Sequence, residues 1–493
     1  MIPFPILALA SILVFNEDDT HMIHRYPAEK FVEYFDSVCR GAVTHFFMCP
    51  NAMRSNIDSK AFEPVWKALE EPGVEPRWAP DAKWLHDNGI DPYAIWIRRA
   101  REKGVSPWIT MRMNDIHSPA NPNYTSHCTL WKTHPEYRRD PNHRGADYPP
   151  YAFDYSHEVV RARALGYIAE LLERYDVDGI ETDWLRFPWH LTPGKERSQT
   201  GVLNGFMSDV RRLADAAAKR RGHPVLVGAR VTTSYEAALE LGTDPVAWAG
   251  ERSIDWLVVC NFFLSADFNL DYADWERRIH VVNASVTIVP GLDSGIRKDG
   301  RHRQNLTLEE YRGWSEAQYA QGAPGLYLFN PFHFAPTSAV WNAFLDGGLA
   351  PSAVAAKPQA YPVGFRECAP TRLADVQLPD NLADGGKVRI RIGRVPKDGA
   401  CGLLLAFDRR ENAESVCREA RLNGVKATRA EEVSASEWLD PKTSAAFSMR
   451  VRFPVSALVP SVNTVEFPAV QPAKLLLMAC ELEVNPKSNK EEP

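Results

Sequence analysis

Through residue 346 the chain alternates between two textures, and this alternation limits its possible folds more than any other feature. Short apolar, β-branched runs lie at Ser11–Phe15, Val43–Cys49, Pro107–Met113, Asp178–Asp183, Val225–Val231, Ile254–Phe262, Ser285–Pro290 and Gly325–Phe329. Segments of helical length separate them. From His157, for instance, Val160, Leu165, Ile168, Leu171 and Leu172 keep helical spacing as far as Tyr175, and Gly205–Arg221 is a second such stretch. Runs of this length, most of them predominantly apolar, suit parallel strands covered on both faces. Eight strands, each followed by a helical pattern, predict an α/β fold of the (β/α)8 barrel type, whose chemistry sits at the C-terminal strand ends.

Past Pro351 the texture changes. Ala350–Pro362 is rich in Ala and Pro and reads as a linker. Lys387–Ile392, Cys401–Phe407, Phe447–Phe453, Val462–Phe467 and Leu475–Val484 read as strands with no long helical pattern between them. The expected organisation is a barrel over 1–349, a linker over 350–362, a β-sandwich accessory domain over 363–486 and a charged tail over 487–493.

Charge and composition exclude several function classes. The chain has 493 residues, 57 Lys and Arg against 63 Asp and Glu, and a net charge of −6. With no basic excess to neutralise phosphates, nucleic acid is not an expected partner. A hydrophobic share of 45% with 24% charged residues is that of an ordinary globular protein, and no run approaches the ~18 apolar residues of a membrane span. The eight cysteines form no CxxC pair, so neither a zinc ribbon nor a redox motif is visible. No cofactor and no metal are expected. Ile6–Phe15 is apolar, and Ala8-Leu9-Ala10 resembles a signal-peptidase site, but no Lys or Arg precedes it. Ser11–Phe15 therefore reads as the first strand. Compartment (periplasmic or secreted against cytoplasmic) and oligomeric state are left open.

Polar residues gather at the strand ends. Asn16, Glu17 and Asp18 follow the first run, Asn51 and Arg54 the second, and Arg112, Asn114, Asp115 and His117 the third. Glu181, Asp183 and Arg186 close the fourth; Arg230 lies on the fifth, Asn261 and Asp267 follow the sixth, Asp293 the seventh, and Asn330 and His333 the eighth. Between Asp115 and Asp154 lies a long loop rich in aromatic and cationic residues, Trp131 among them, which would suit a polyol or an anionic sugar; a solvated loop with no ligand role is the alternative.

The most informative segment is Asp178-Gly179-Ile180-Glu181-Thr182-Asp183-Trp184-Leu185-Arg186. Alternation along a strand puts Gly179, Glu181 and Asp183 on one face and turns Trp184 away from it, toward the helices. Two acids on one face of a buried strand are costly unless paired or used, and neighbouring carboxylates push one pKa upward, as a general acid near neutrality requires. A structural network with Arg112, Arg186 or Arg230 is the alternative.

Asp-Gly-Ile-Glu-x-Asp-Trp resembles the fourth-strand motif of (β/α)8 glycoside hydrolases. Phe15-Asn16-Glu17-Asp18, Pro107-Trp108-Ile109 with Arg112-Met113-Asn114-Asp115, and Asp154-Tyr155-Ser156 extend the likeness to the glycoside hydrolase-like 10 group of bacterial proteins. The resemblance covers most of residues 11–346 and implies a sugar-processing barrel with a β-rich appendage. Compared with family-18 chitinases, Asp178, Glu181 and Asp183 match the three acids before the proton donor, but Leu185 stands where the donating Glu would be, so that mechanism does not carry over.

Two carboxyl groups flanking a glycosidic bond are the expected machinery. Asp183 is assigned as nucleophile or water-activating base and Glu181 as the group that tunes it. Asp293 is the leading partner acid, ahead of Glu17, Asp18, Asp115 and Asp267. Arg54, Arg112, Asn114, Arg186, Arg230, Asn261, Asn330, His333 and Trp131 complete the expected carbohydrate-binding set. On this reading Asp183→Asn abolishes turnover with the melting temperature nearly unchanged. Two alternatives remain: a metal-dependent carbohydrate deacetylase using Asp18, His21, His24, Asp115 and His117, and a noncatalytic glycan-binding barrel.

Overall fold

The computed structural model describes residues 11–18, 21–143, 148–262, 266–333, 338–364, 377–470 and 474–487. Eight parallel strands form a closed barrel: β1 (Ile12–Glu17), β2 (His45–Met48), β3 (Ser106–Arg112), β4 (Gly179–Asp183), β5 (Leu226–Val231), β6 (Trp256–Cys260), β7 (Thr287–Asp293) and β8 (Gly325–Phe329). β8 pairs with both β7 and β1, which completes the ring. Helices fill the connections, among them Glu158–Arg174 after β3 and Thr200–Arg221 after β4. β7 runs past Pro290 because Gly291, Leu292 and Asp293 pair with Tyr327, Leu328 and Phe329.

Alternation along each strand separates two apolar layers. Val14, Phe47, Trp108, Trp256, Val258, Val289 and Tyr327 fill the barrel interior, while Phe15, Phe46, Ile109, Ile180, Leu257 and Leu328 pack outward against the helices. Phe47 and Trp108 stack with centroids 4.8 Å apart. Gly179 owes its identity to this stack, since a Cβ there would meet the Trp108 ring at 2.5 Å. Trp184 points outward as alternation requires, donating Nε1–H to Thr182 Oγ1 at 3.0 Å and packing against Phe206 and Trp248.

Two antiparallel sheets follow the barrel. One runs Gln359–Pro362, Leu476–Pro486, Gly399–Phe407, Phe447–Phe453, Arg429–Glu432, with Asp380–Asn381 also paired to Leu476–Pro486. The other joins Gly386–Ile392, Ser461–Phe467, Arg421–Leu422 and Val425–Lys426. The stretch expected as a linker, 350–362, is ordered structure instead: Pro351–Val354 is a helical turn and Gln359–Pro362 an edge strand. Its Ala/Pro composition gives no strand pattern. An extended segment becomes a strand when it lies beside an open sheet edge, and the barrel helix Leu308–Ala320 covers this one, with Gly313 letting the helix approach the Ala360 backbone. Among the described residues no helix is long and apolar enough to cross a membrane. The apolar opening before Ser11, and all of the expected tail except Lys487, lie outside the described residues.

Candidate functional site

The end of β4 sets the floor of the barrel mouth. Asp183 faces inward, and its side chain is 3% exposed. Arg230, its partner in the β4–β5 register, donates Nε–H to Oδ1 at 3.0 Å and Nη2–H to Oδ2 at 2.7 Å. Oδ1 also accepts the backbone N–H groups of Leu185 and Arg186 at 3.0 and 3.1 Å, which turns the chain so that Leu185 enters the interior cluster. The Arg230 guanidinium lies 3.9 Å over the Phe329 ring. Burial alone would lower its pKa, but the Asp183 charge raises it above the ordinary value. The pair is therefore a closed, buried ion pair, and this corrects the expectation that Asp183→Asn leaves the melting temperature unchanged: that substitution strands a buried guanidinium.

A second charged group stands beside it. Arg112, paired in register with Asp183, forms ion pairs with Asp18 and with Asp115 Oδ2 at 2.8 Å. Burial, then the neighbouring Arg186 charge, lowers the Arg112 pKa to about 10. Asp115 Oδ1 accepts His117 Nδ1–H at 2.7 Å, so His117 Nε2 can accept Arg186 Nη2–H at 3.2 Å. Burial would raise Asp115, yet His117, Arg112 and Arg186 together hold it below the usual carboxylate range. The His117 pKa is lowered by burial first and by Arg186 and Arg112 besides, against Asp115.

One pleat below Asp183, Glu181 is fully buried. Oε1 accepts Thr110 Oγ1–H at 2.6 Å and Tyr327 O–H at 3.0 Å, while Tyr327 in turn accepts Asn16 Nδ2–H at 2.8 Å. Among the described residues Oε2 has no hydrogen-bond partner. Burial, then the Asp183 charge, pushes Glu181 up to about 7 against the pull of Arg230, Thr110 and Tyr327. An unfolded Glu titrates near ~4.3. Between those values the folded chain keeps a proton the unfolded chain has lost, so this group's contribution to stability falls as pH rises through that window. Glu181→Gln keeps an acceptor and carries no charge. It is expected to match wild type in Tm near about pH 5 and to exceed it near about pH 8. Calorimetry at both pH values checks this, and an equal offset at the two would show that Glu181 does not titrate there.

Asp293 ends β7, buried, with Oδ1 accepting Ser294 Oγ–H and Gly295 N–H, both at 3.3 Å. Cys260, facing inward at the end of β6, senses both halves of the mouth. Burial pushes its thiol up to about 12, and among its neighbours Arg230 pulls it down while Asp293 and Asp183 push it further up. Asp183, Glu181, Asp293, Arg230, Arg112, Asp115, Asp18 and Arg186 thus stand at one end of the barrel.

Other expected members lie elsewhere or are already engaged. Glu17 points outward, where His21 Nδ1 lies 2.8 Å from Oε1 and Tyr34 O–H donates to Oε2. Arg54 is locked to Glu63 at 2.8 Å and to Glu71. Asn114 staples loops, donating to the Phe153 and Trp189 carbonyls at 3.0 and 2.9 Å and accepting Phe153 N–H at 3.0 Å. Trp131 is no stacking platform: it is buried, donates to the Tyr151 carbonyl at 2.8 Å and carries Arg138 over its ring at 3.8 Å. Asp267 caps Asn269 N–H at 2.9 Å, and its carbonyl accepts Trp314 Nε1–H at 3.1 Å, in the layer outside the barrel. Asn261 and Asn330 remain at the mouth, each with a buried Oδ1 that has no hydrogen-bond partner among the described residues. The His333 side chain lies outside the described residues. The metal-ligand set is dispersed: His21 is bonded to Glu17, His24 lies 3.6 Å from Asp81, and no three His, Cys, Asp or Glu among the described residues are placed to hold a metal ion.

Sequence reasoning missed Tyr327 and Thr110, the two hydroxyls on Glu181. Their signal is faint, a tyrosine within an apolar β8 and a threonine in a β-branched run.

The sequence matches no family profile and no curated protein. The solved structures it resembles are glycoside hydrolase-type barrels at low identity. A cycloisomaltooligosaccharide glucanotransferase from Paenibacillus sp. is 10% identical (TM-score 0.37, 97% of this chain and 57% of that one). An alpha-L-fucosidase from Paenibacillus thiaminolyticus is 12% identical (TM-score 0.41, 70% and 49%). A glycoside hydrolase domain from Bordetella bronchiseptica is 12% identical (TM-score 0.42, 68% and 98%). The chain thus spans about half the length of the first two.

Proposed function

We propose that the protein cleaves glycosidic bonds of an oligo- or polysaccharide at the C-terminal face of its barrel. The observation that carries this reading is the contrast between two inward carboxyl groups on one strand. Both oxygens of Asp183 accept hydrogen bonds from Arg230, whereas burial and the Asp183 charge push Glu181 up to about 7. Glu181, fully buried one pleat below, tunes Asp183, and the acid that completes the pair comes from another strand end. Asp183 acts as nucleophile or water-activating base through Oδ2, which among the described residues has one hydrogen-bond partner against three on Oδ1. Asp293, across Cys260, protonates the leaving oxygen, and Arg112, Arg186, Asn261 and Asn330 bind hydroxyls. A noncatalytic glycan-binding barrel is the second reading, favoured by one observation: Arg230 occupies both oxygens of Asp183.

Reducing-end release from a panel of marine and plant glycans separates the two. Wild type is expected to release ends, and Asp293→Asn to lose about 100-fold or more of the rate with an unchanged circular dichroism spectrum. Glycan binding without release by wild type would leave only the second reading.

A further inference from the structure

We infer that Lys298 and Gln304 are positioning residues, through which the accessory sheet fixes the hairpin that aims Asp293 into the barrel mouth. The inference rests on the acid role proposed above for Asp293. Beyond Asp293, where β7 ends, Gly295–Ile296 pairs antiparallel with Gln304–Asn305, and Leu306 N–H returns to the Ser294 carbonyl at 3.0 Å. An isolated hairpin is marginal in water even when longer than this one, so its position depends on what grips it from outside.

The Asp293 carboxyl takes its orientation from the base of this hairpin. Oδ1 accepts the N–H of Gly295, the first paired residue, and the hydroxyl of Ser294. Ser294 Oγ in turn accepts Arg303 Nη2–H at 3.3 Å from the returning limb. A shift of the hairpin therefore moves both donors that aim Asp293.

The grip comes from the accessory domain. Lys298 Nζ and Gln304 Nε2 converge on one acceptor there, the Trp438 carbonyl, at 3.2 and 3.1 Å. Gln304 is the register partner of Ile296, the residue next to Gly295, so this contact is made close to the base. Lys298 is clamped further by Glu310 of the barrel and by Glu481 of the accessory sheet, the latter at 2.5 Å. The acceptor itself is fixed: Trp438 is packed with Leu404, Leu439 and Ala479, and its Nε1 donates to Ser448 Oγ at 3.0 Å. Position matters here because a general acid must lie within hydrogen-bond reach of the leaving oxygen, and a misplacement of about 1 Å can cost about 100-fold in rate.

Four substitutions release the hairpin without stranding a charge. Lys298→Met and Gln304→Met remove the two donors, while Glu310→Gln and Glu481→Gln neutralise the facing acids. On the panel glycan from which wild type releases most reducing ends, the quadruple variant is expected to lose about tenfold in kcat at unchanged KM while keeping most of the wild-type stability. In an Asp293→Asn background the same four substitutions are expected to cost nothing further, because residues that act through one group are not additive. A merely structural role would lower the rate in both backgrounds. Backbone amide exchange at Gly295 and Leu306, read without any substrate, is expected to quicken about tenfold. Gln304→Met alone, at a partly buried side chain, is expected to show the same pattern at about threefold, and it carries the comparison if the quadruple variant does not fold. Unchanged kcat, an equal loss in the Asp293→Asn background, or unchanged exchange would each overturn the inference. No release by wild type is a different result: it would sink the hydrolase reading, and the role of Asp293 with it, whatever the exchange shows.

Discussion

Asp183→Asn is expected to lower stability by about 3–5 kcal/mol as well as to abolish any turnover. The reason is the fate of Arg230, whose guanidinium is 1% exposed and spends two N–H groups on the Asp183 oxygens. Asparagine is neutral and offers a single acceptor, so it leaves a buried cation without its counter-charge. The Asp18, Asp115 and Arg112 group stands beside it and cannot absorb that charge, because its own acids are already committed to Arg112 and His117. Adding Arg230→Met should recover much of the loss, since removing both members of a buried pair costs far less than removing one. Chemical denaturation of the two single variants and the double variant measures the coupling. A fully stable Asp183→Asn would mean that the ion pair contributes nothing to the barrel, and activity lost in that variant is chemical only to the extent that its fold survives.

Lys298→Met should have an effect of the same size at the seam between the barrel and the accessory sheet. Lys298 lies between Glu310, on the barrel helix Leu308–Ala320, and Glu481, on the accessory strand Leu476–Pro486, all three buried. Burial would lower the lysine pKa, but the two carboxylates raise it; burial also pushes Glu481 up to about 7, with Lys298 opposing and Glu310 adding to the rise. Methionine leaves two buried acids facing each other, at a cost of about 3–5 kcal/mol near neutral pH. The loss should shrink as pH falls from about 7 toward about 5, the window in which Glu481 becomes fully protonated in the folded chain. Replacing Glu310 and Glu481 by Gln in the Lys298→Met background should restore most of the stability. Equal denaturation midpoints for wild type and Lys298→Met at neutral pH would show that the triad does not hold the seam.

The barrel was legible in the sequence because its signal is local and repeated. Each run from Ser11–Phe15 to Gly325–Phe329 needs only its own apolar residues to announce a strand, and the opposite facing of Trp184 and Asp183 followed from the period of the strand alone. Glu181 and Asp183 sharing a face followed in the same way. The expected binding role of Glu17 failed for a related reason. Val14 and Phe15 are equally apolar, and a parallel barrel strand is covered on both sides. Alternation therefore says which residues share a face and leaves unsaid which face is inside. Arg54, Asn114 and Trp131 failed differently: a polar or aromatic residue near a strand end looks the same whether it waits for a ligand or is consumed by a loop.

The sequence by itself determined the strand count, the alternation of each strand and the acids at the end of β4. Tertiary structure alone decided that Asp183 closes on Arg230, that Glu181 meets Tyr327 from the opposite wall, and that Lys298 binds two segments together. Periodicity is a property of neighbours along the chain. Ion pairs and hydrogen bonds join residues whose separation only the closed ring of strands removes.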